Sequence, residues 1–168
     1  DVFPYKKIGD LADKVIVMAY DEHWSTSKAG PIASFKWCQK IVDYSVTVIP
    51  QEKLVMGLPF YGRTWSEKKP AQAWYYSGIN RIMKENGAKK VEYIDGIPSV
   101  KFNMDVEVTG FFEDVNSVVQ KMRLYDYKNV KNTAFWRIGQ EDSDAWDWIK
   151  IKDETANLEE SEETTETK

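Results

Sequence analysis

The chain has 168 residues, 42% of them hydrophobic and 30% charged, with a formal net charge of −4. That length suits one domain with a real core, on a usual scale of about 100–200 residues, and the composition excludes a chain disordered throughout. The acidic balance excludes a global basic signal for nucleic acid, and no apolar run reaches the roughly 18 residues of a membrane-crossing helix.

One cysteine, Cys38, and one histidine, His23, exclude an internal disulfide, thiolate zinc sites and multi-histidine metal centres. The first residues lead straight into ordinary globular sequence, so no signal peptide is expected there. The aromatic content is high at 14%, with 7 tryptophans, and asks for an explanation.

In chain order, Val15–Tyr20 is a continuous apolar run of strand length, the pattern of a parallel strand buried on both faces. A polar loop spans Asp21 to Gly30. Phe35, Cys38, Ile41, Val42, Ser45 and Val48 recur at three- and four-residue spacing and predict a helix over 31–49, with Pro31 in its first turn and Pro50 ending it. Leu54–Phe60 predicts the next buried strand, completing a right-handed βαβ unit. Ser77 is a candidate cap for a short helix ending at Gly87. Val91–Ile94 and Ile97–Met104 flank Asp95-Gly96, a hairpin turn signal, and Val106–Phe112 is a further strand. A helix over 113–128, a buried strand over 133–138, and a last helix capped by Asp142 or Ser143 and running to Lys150 complete the folded part. Trp37, Trp146 and Trp148 are read as core or interface residues. The chain divides into a main layer over 1–65, a small α+β excursion over 66–112, and the main layer again over 113–152. Residues 153–168 hold seven acidic residues against Lys168 alone and are expected to form a disordered acidic tail.

In a parallel α/β arrangement, function gathers past the carboxyl ends of the strands. Three such ends are available: Tyr20 to Trp24, Phe60 to Trp65, and Trp136-Arg137 with Gln140 to Asp142. Each places aromatic rings beside charged or hydrogen-bonding groups. Flat rings next to carboxylates and an arginine suit a carbohydrate, whose C–H faces pack on rings and whose hydroxyls take directional hydrogen bonds. Each residue also has a plainer role open to it: Arg63 as an ion-pair partner, Trp136 as core, Met18 as packing. Asp21-Glu22-His23 is a poor metal trio, since adjacent residues on extended chain point to alternating faces. No phosphate-loop pattern occurs.

Three motifs are more specific. Met18-Ala19-Tyr20-Asp21 resembles the Met-x-Tyr-Asp of strand six in the family 18 glycoside hydrolases. Gly57-Leu58-Pro59-Phe60-Tyr61-Gly62-Arg63 resembles the family's strand-seven motif. Ala134-Phe135-Trp136 with Gly139-Gln140-Glu141-Asp142 and Trp146 is similar to its strand-eight motif, with Gln140 where many relatives show a second glycine. The Tyr20–Trp24 loop and Phe112-Glu113-Asp114 look most like the bacterial spore-cortex and cell-wall branch, which cleaves N-acetylglucosamine-containing glycans.

The resemblance implies the last three strands of a TIM (β/α)8 barrel, with 66–112 as the family's α+β insertion between strands seven and eight. Such barrels run to roughly 250 residues. The N-terminal barrel half, with the strand-four Asp-x-x-Asp-x-Asp-x-Glu whose final Glu is the general acid, is then expected before Asp1. The resemblance further implies a retaining, substrate-assisted hydrolysis in which the substrate's acetamido oxygen attacks the anomeric carbon, an exception to the two-carboxylate scheme. Tyr20 would donate to that oxygen, and Asp21 would hold a sugar hydroxyl and tune the acid. Trp136 would floor the scissile sugar, Tyr61 and Arg63 would bind neighbouring sugars, and Met18 would line the pocket base. Trp136–Arg137 is a candidate non-proline cis peptide. No metal or organic cofactor is implied, the partner is an oligosaccharide or polysaccharide, and the substrate class implies an extracellular or cell-envelope location. A chitinase-like lectin on the same scaffold, with the acid lost, is the alternative.

Overall fold

The computed structural model describes residues 3–67, 69–103 and 106–151. The acidic segment 153–168 and Met104 lie outside them. Two sheets make up the architecture. The first is parallel and three-stranded, in the order β1-β2-β8, from β1 (Val15–Val17), β2 (Leu54–Pro59) and β8 (Asn132–Trp136). The second is antiparallel and five-stranded, in the order β4-β3-β7-β6-β5, from β3 (Tyr61–Ser66), β4 (Lys69–Tyr75), β5 (Val91–Ile94), β6 (Ile97–Asn103) and β7 (Glu107–Phe111).

The parallel sheet follows from alternation. Leu54, Met56 and Leu58 point to one face and are buried there with Val15 and Val17 against Cys38 and Val42 of α2 (Phe35–Val48) and Leu124 and Tyr125 of α4 (Val115–Tyr127). The predicted burial of Val15–Tyr20 on both faces does not hold. Regular pairing ends at Val17, and Ile16 and Met18 are 61% and 69% exposed on the opposite face. β1 is an edge strand whose second face meets no helix, so apolar composition there reports a surface.

Local signals place several elements correctly. Ser34 caps α2, its side chain accepting from Trp37 N–H; the predicted start at Pro31 is therefore too early, and residues 31–34 form the run-in to that cap. Asp114 and Ser117 form a reciprocal capping box at α4. Asp95 and Gly96 both take positive φ in the two-residue turn joining β5 to β6. Asp95 also ties the two layers together: its carbonyl accepts Phe35 N–H at 3.2 Å and its Oδ2 accepts Lys36 N–H at 3.0 Å, at the start of α2.

Other expectations need correction. α1 (Tyr5–Leu11) has no counterpart in the predicted elements, and neither has the hairpin β3–β4. Ser77 lies inside α3 (Tyr76–Glu85), which has Tyr75 at its N-cap and no side-chain cap. The predicted last helix is a single 3-10 turn, Ser143–Asp147, capped by Asp142. Ala145 in it is buried, whereas Trp148 is 53% exposed and Trp146 is also largely outside the core.

The inner strands of the antiparallel sheet are covered on both sides, while the four residues of β5 are exposed. Val100, Phe102 and Val108 pack with Ile79 of α3. On the opposite face Trp65, Ala71, Ile97 and Phe111 pack with Tyr61, Ile32 and the half-buried Tyr20. Gly62 permits the close approach of β3 to its cover, because a Cβ there would lie 2.5 Å from Phe112 Cβ and 2.6 Å from Ile79 Cδ1.

A buried polar knot joins the layers. Glu113 and Lys121, both within the core, pair at 2.5 Å. Ser117 Oγ donates to the same Glu113 Oε2, and Lys121 Nζ donates to Ala33 C=O at 3.2 Å. Burial pushes the Glu113 carboxyl up, against the opposing pull of Lys121. Among the described residues no helix is long and apolar enough to cross a membrane.

Candidate active site

The carboxyl ends of β1 and β8 meet the start of β3 at one cleft of about 600 Å³, lined among others by Tyr20, Asp21, Tyr61, Arg63, Trp136 and Arg137. Its construction is local at first. Tyr20 and Asp21 leave the end of β1, and Asp21 takes φ 60°, a conformation Asp adopts more readily than most side chains. Gly57 on β2 leaves room for this exit, since a Cβ there would lie 3.0 Å from the Tyr20 ring and 2.9 Å from the Val17 carbonyl. Beyond Pro59 the chain passes directly from β2 into β3. The period of two then sets Tyr61 and Arg63 on the cleft face, opposite Tyr75 and Ala73 of β4.

These side chains converge on Asp21. Its Oδ1 accepts from Tyr61 O–H at 2.6 Å and from Arg63 Nη2 at 3.1 Å. Oδ2 has no hydrogen-bond partner among the described residues. Burial first, then the bond to Asp21, pushes the Tyr61 hydroxyl up, which keeps it a donor. Burial and the neighbouring Asp21 charge also push the Tyr20 hydroxyl up, so it carries its proton at neutral pH. Its ring packs edge-on against Tyr61, with centroids 6.5 Å apart.

The opposite wall is the end of β8. Trp136 is 57% exposed, a large indole held out toward the cleft. The Trp136–Arg137 peptide is cis, as the resemblance implies. Phe60 N–H donates to Trp136 C=O at 2.8 Å, and Phe60 stacks on Phe135 at 4.6 Å, which fixes this strand end to β2. The loop that follows is organised by Glu141. Its Oε2 accepts Gly139 N–H at 2.6 Å and Gln140 N–H at 2.9 Å, and its Oε1 accepts the Trp146 indole N–H at 3.0 Å.

The structure thus brings Tyr20, Asp21, Tyr61, Arg63 and Trp136 to one cleft. Met18 is on the same sheet face but outside that lining. His23 anchors its own loop, with Nδ1 2.8 Å from Pro31 O, and Glu22 accepts Ser34 N–H at 2.8 Å. Trp74, Tyr75 and Arg81 also line the cleft and were not singled out from the sequence, whereas Gln140 of the strand-eight motif was. Trp74 and Tyr75 reach it only through the β3–β4 pairing, and no local pattern announces that. Among the described residues no group of three or more His, Cys, Asp or Glu side chains is placed to hold a metal ion.

Comparison with known proteins identifies the family. The family model described as glycosyl hydrolases family 18 matches residues 1–141. The chain is 27% identical over 160 residues to an uncharacterized glycosylase, YvbX, of Bacillus subtilis, covering 88% of this chain and 44% of that protein. It is 25% identical over 161 residues to the cortical fragment-lytic enzyme of Bacillus subtilis, covering 89% and 36%. Among solved structures, the chitinase of Chromobacterium violaceum superposes with a TM-score of 0.79 at 26% identity, covering 86% of this chain and 47% of that one. The chain spans less than half the length of these relatives, as part of a TIM barrel does. With three strand-end motifs on one cleft and a family match over most of its length, the chain belongs to the family 18 glycosyl hydrolases.

Proposed function

We propose that this chain is the C-terminal part of a glycosidase that hydrolyses β-linked N-acetylglucosamine glycans, chitin or peptidoglycan, at the cell envelope. The observation that carries the reading is Asp21 held by Tyr61 and Arg63, with Tyr20 beside it and Trp136 across one cleft. In this reading residues 1–65 and 113–152 are barrel strands six to eight with their helices, and 66–112 is an insertion that walls the cleft.

The chemistry is substrate-assisted and retaining. Trp136 supplies an apolar floor on which a sugar ring stacks. The scissile sugar's acetamido oxygen attacks the anomeric carbon as the bond to the leaving oxygen breaks, giving an oxazolinium ion that water then opens with net retention. Tyr20, protonated at neutral pH, donates to that acetamido oxygen. Asp21 keeps one oxygen on Tyr61 and Arg63 and offers Oδ2 to the acetamide N–H or to the acid. The general acid is a glutamate of barrel strand four, in the part of the barrel outside this chain, and protonates the leaving oxygen. The scheme draws on no metal or organic cofactor.

The test uses the full-length protein encoded around this chain, with chitin and peptidoglycan as substrates and proton NMR of the released anomer. Hydrolysis with a retained β-anomer is expected. Tyr20→Phe is expected to lower kcat by about 10²–10³, and Trp136→Ala to abolish glycan binding. An inverted product, or full activity in Tyr20→Phe, would overturn the mechanism. Tight glycan binding with no hydrolysis of either polymer would leave the lectin reading in its place.

A further inference from the structure

The cleft is basic within an acidic chain. Its lining holds Arg63, Arg81 and Arg137, and Asp21 is the one carboxylate among the described lining residues, whereas the chain as a whole carries −4. Arg63 is matched by Asp21. Of the other two, Arg137 is unmatched among the described residues and Arg81 makes only a long, solvated pair with Glu85. Arg137 has no carboxylate within ion-pair distance among the described residues. The Arg81 Nε lies 3.9 Å from Glu85 Oε1, beyond hydrogen-bond range, and both side chains are solvated.

The two arginines are held on one wall. Tyr76 N–H, at the start of α3, donates to Gln140 C=O at 2.9 Å, and Gln140 N–H donates to Arg137 C=O at 3.3 Å. This ties the α3 start to the loop that carries Arg137. Gly78 and Arg81, three residues apart on α3, both line the cleft. The rings of Trp74, Tyr75 and Trp136 border the same space and offer faces on which a sugar ring can stack beside the two guanidinium groups. A neutral glycan gives these guanidinium groups no counter-charge. A carboxylate matches their fork geometry and forms the stronger, charge-assisted bond.

Resting on the glycosidase reading above, we propose that Arg81 and Arg137 select glycans bearing a carboxylate on a sugar next to N-acetylglucosamine. The shared chemistry is a sugar-borne carboxylate, either a lactyl ether or a uronic acid.

The full-length protein would be titrated by calorimetry with five tetrasaccharides. These are chitotetraose, an alternating N-acetylglucosamine–N-acetylmuramic acid tetrasaccharide and its carboxamide, and an alternating N-acetylglucosamine–glucuronic acid tetrasaccharide and its carboxamide. At least one acid is expected to bind about tenfold tighter than its own amide at low salt, with the ratio falling as salt rises. The preferred acid identifies the source of the carboxylate. Arg81→Gln with Arg137→Gln is expected to bring the acid-to-amide ratio to about one, with the wild-type melting curve as the folding control. Acid and amide binding alike in both pairs, or a ratio unmoved in the double variant, would overturn this proposal while chitotetraose binding still supported the glycosidase reading. Binding of none of the five would count against that reading itself.

Discussion

The two sheets solve burial differently. The inner strands of the antiparallel sheet are covered on both faces, with Val100, Phe102 and Val108 under α3 and Trp65, Ile97 and Phe111 against Tyr20 and Ile32. The parallel sheet covers one face with α2 and α4 and leaves Ile16, Met18 and Trp136 exposed on the other. In a closed barrel that second face is the interior, filled by side chains from the remaining strands. Both outer strands, β1 and β8, also present open edges in the described sheet. The antiparallel sheet therefore buries most of its apolar residues within the described chain, one face of it against Tyr20 and Ile32 of the main layer, whereas the parallel sheet leaves one apolar face open. The cleft lies where the two sheets meet.

The sharpest way to break that contrast is at the polar knot. Lys121→Ala leaves Glu113 buried without its cation and is expected to destabilise the fold by about 3–5 kcal/mol, read as a shift in the urea midpoint. Replacing both partners, Lys121→Met with Glu113→Leu, is expected to recover most of that loss, because the penalty belongs to the orphaned charge. A single variant as stable as wild type would mean that water reaches Glu113.

A smaller effect probes the seam between the layers. Asp95→Ala removes the Oδ2 acceptor of Lys36 N–H at the α2 start and strains a turn residue with φ 48°. A cost of about 1–2 kcal/mol is expected. Hydrogen exchange should quicken at Lys36 and through the β5–β6 turn, while the amides of α3 stay protected. Uniform loss across both sheets would show that the insertion does not hold together by itself.

The smallest effect is a pH dependence at the strand-eight loop. Partial burial pushes the Glu141 carboxyl up, but its own backbone, the Trp146 indole and the Gly139 and Gln140 amides outweigh this and hold it below the usual carboxylate range. A depressed folded-state value means that the contribution is complete above the unfolded value of about 4.3 and fades as pH falls through the lower folded value. Wild type is expected to exceed Glu141→Gln in melting temperature near neutral pH, with the gap closing toward about pH 3. A gap that stays constant across that range would sink this account.

Much of the frame was legible residue by residue. The 3.6 periodicity of α2 and α4, the Asp95-Gly96 turn and the apolar runs of β2 and β8 are near-neighbour signals, and each formed an element. The hairpin β3–β4 was not legible. Tyr61–Ser66 carries a glycine and no clean alternation, and the Lys69–Tyr75 stretch contains Pro70, which a sheet tolerates here because β4 is an edge. Its strand state comes from pairing with partners along β3, a non-local cause. The exposure of Ile16, Trp146 and Trp148 was illegible for the same reason, since burial is decided by what packs above a residue.

By itself the sequence determined the types of most elements, though not of α1, the β3–β4 hairpin or the last turn, and it carried the three strand-end motifs and through them the family. Local conformational preference and short motifs need no partner to be read. Only the tertiary structure decided that Asp21 is gripped by Tyr61 and Arg63, that Glu113 and Lys121 pair within the core, and that Arg81 joins Arg137 on the cleft wall. Those pairings join residues far apart in the chain, and their energies exist only once the two sheets have met.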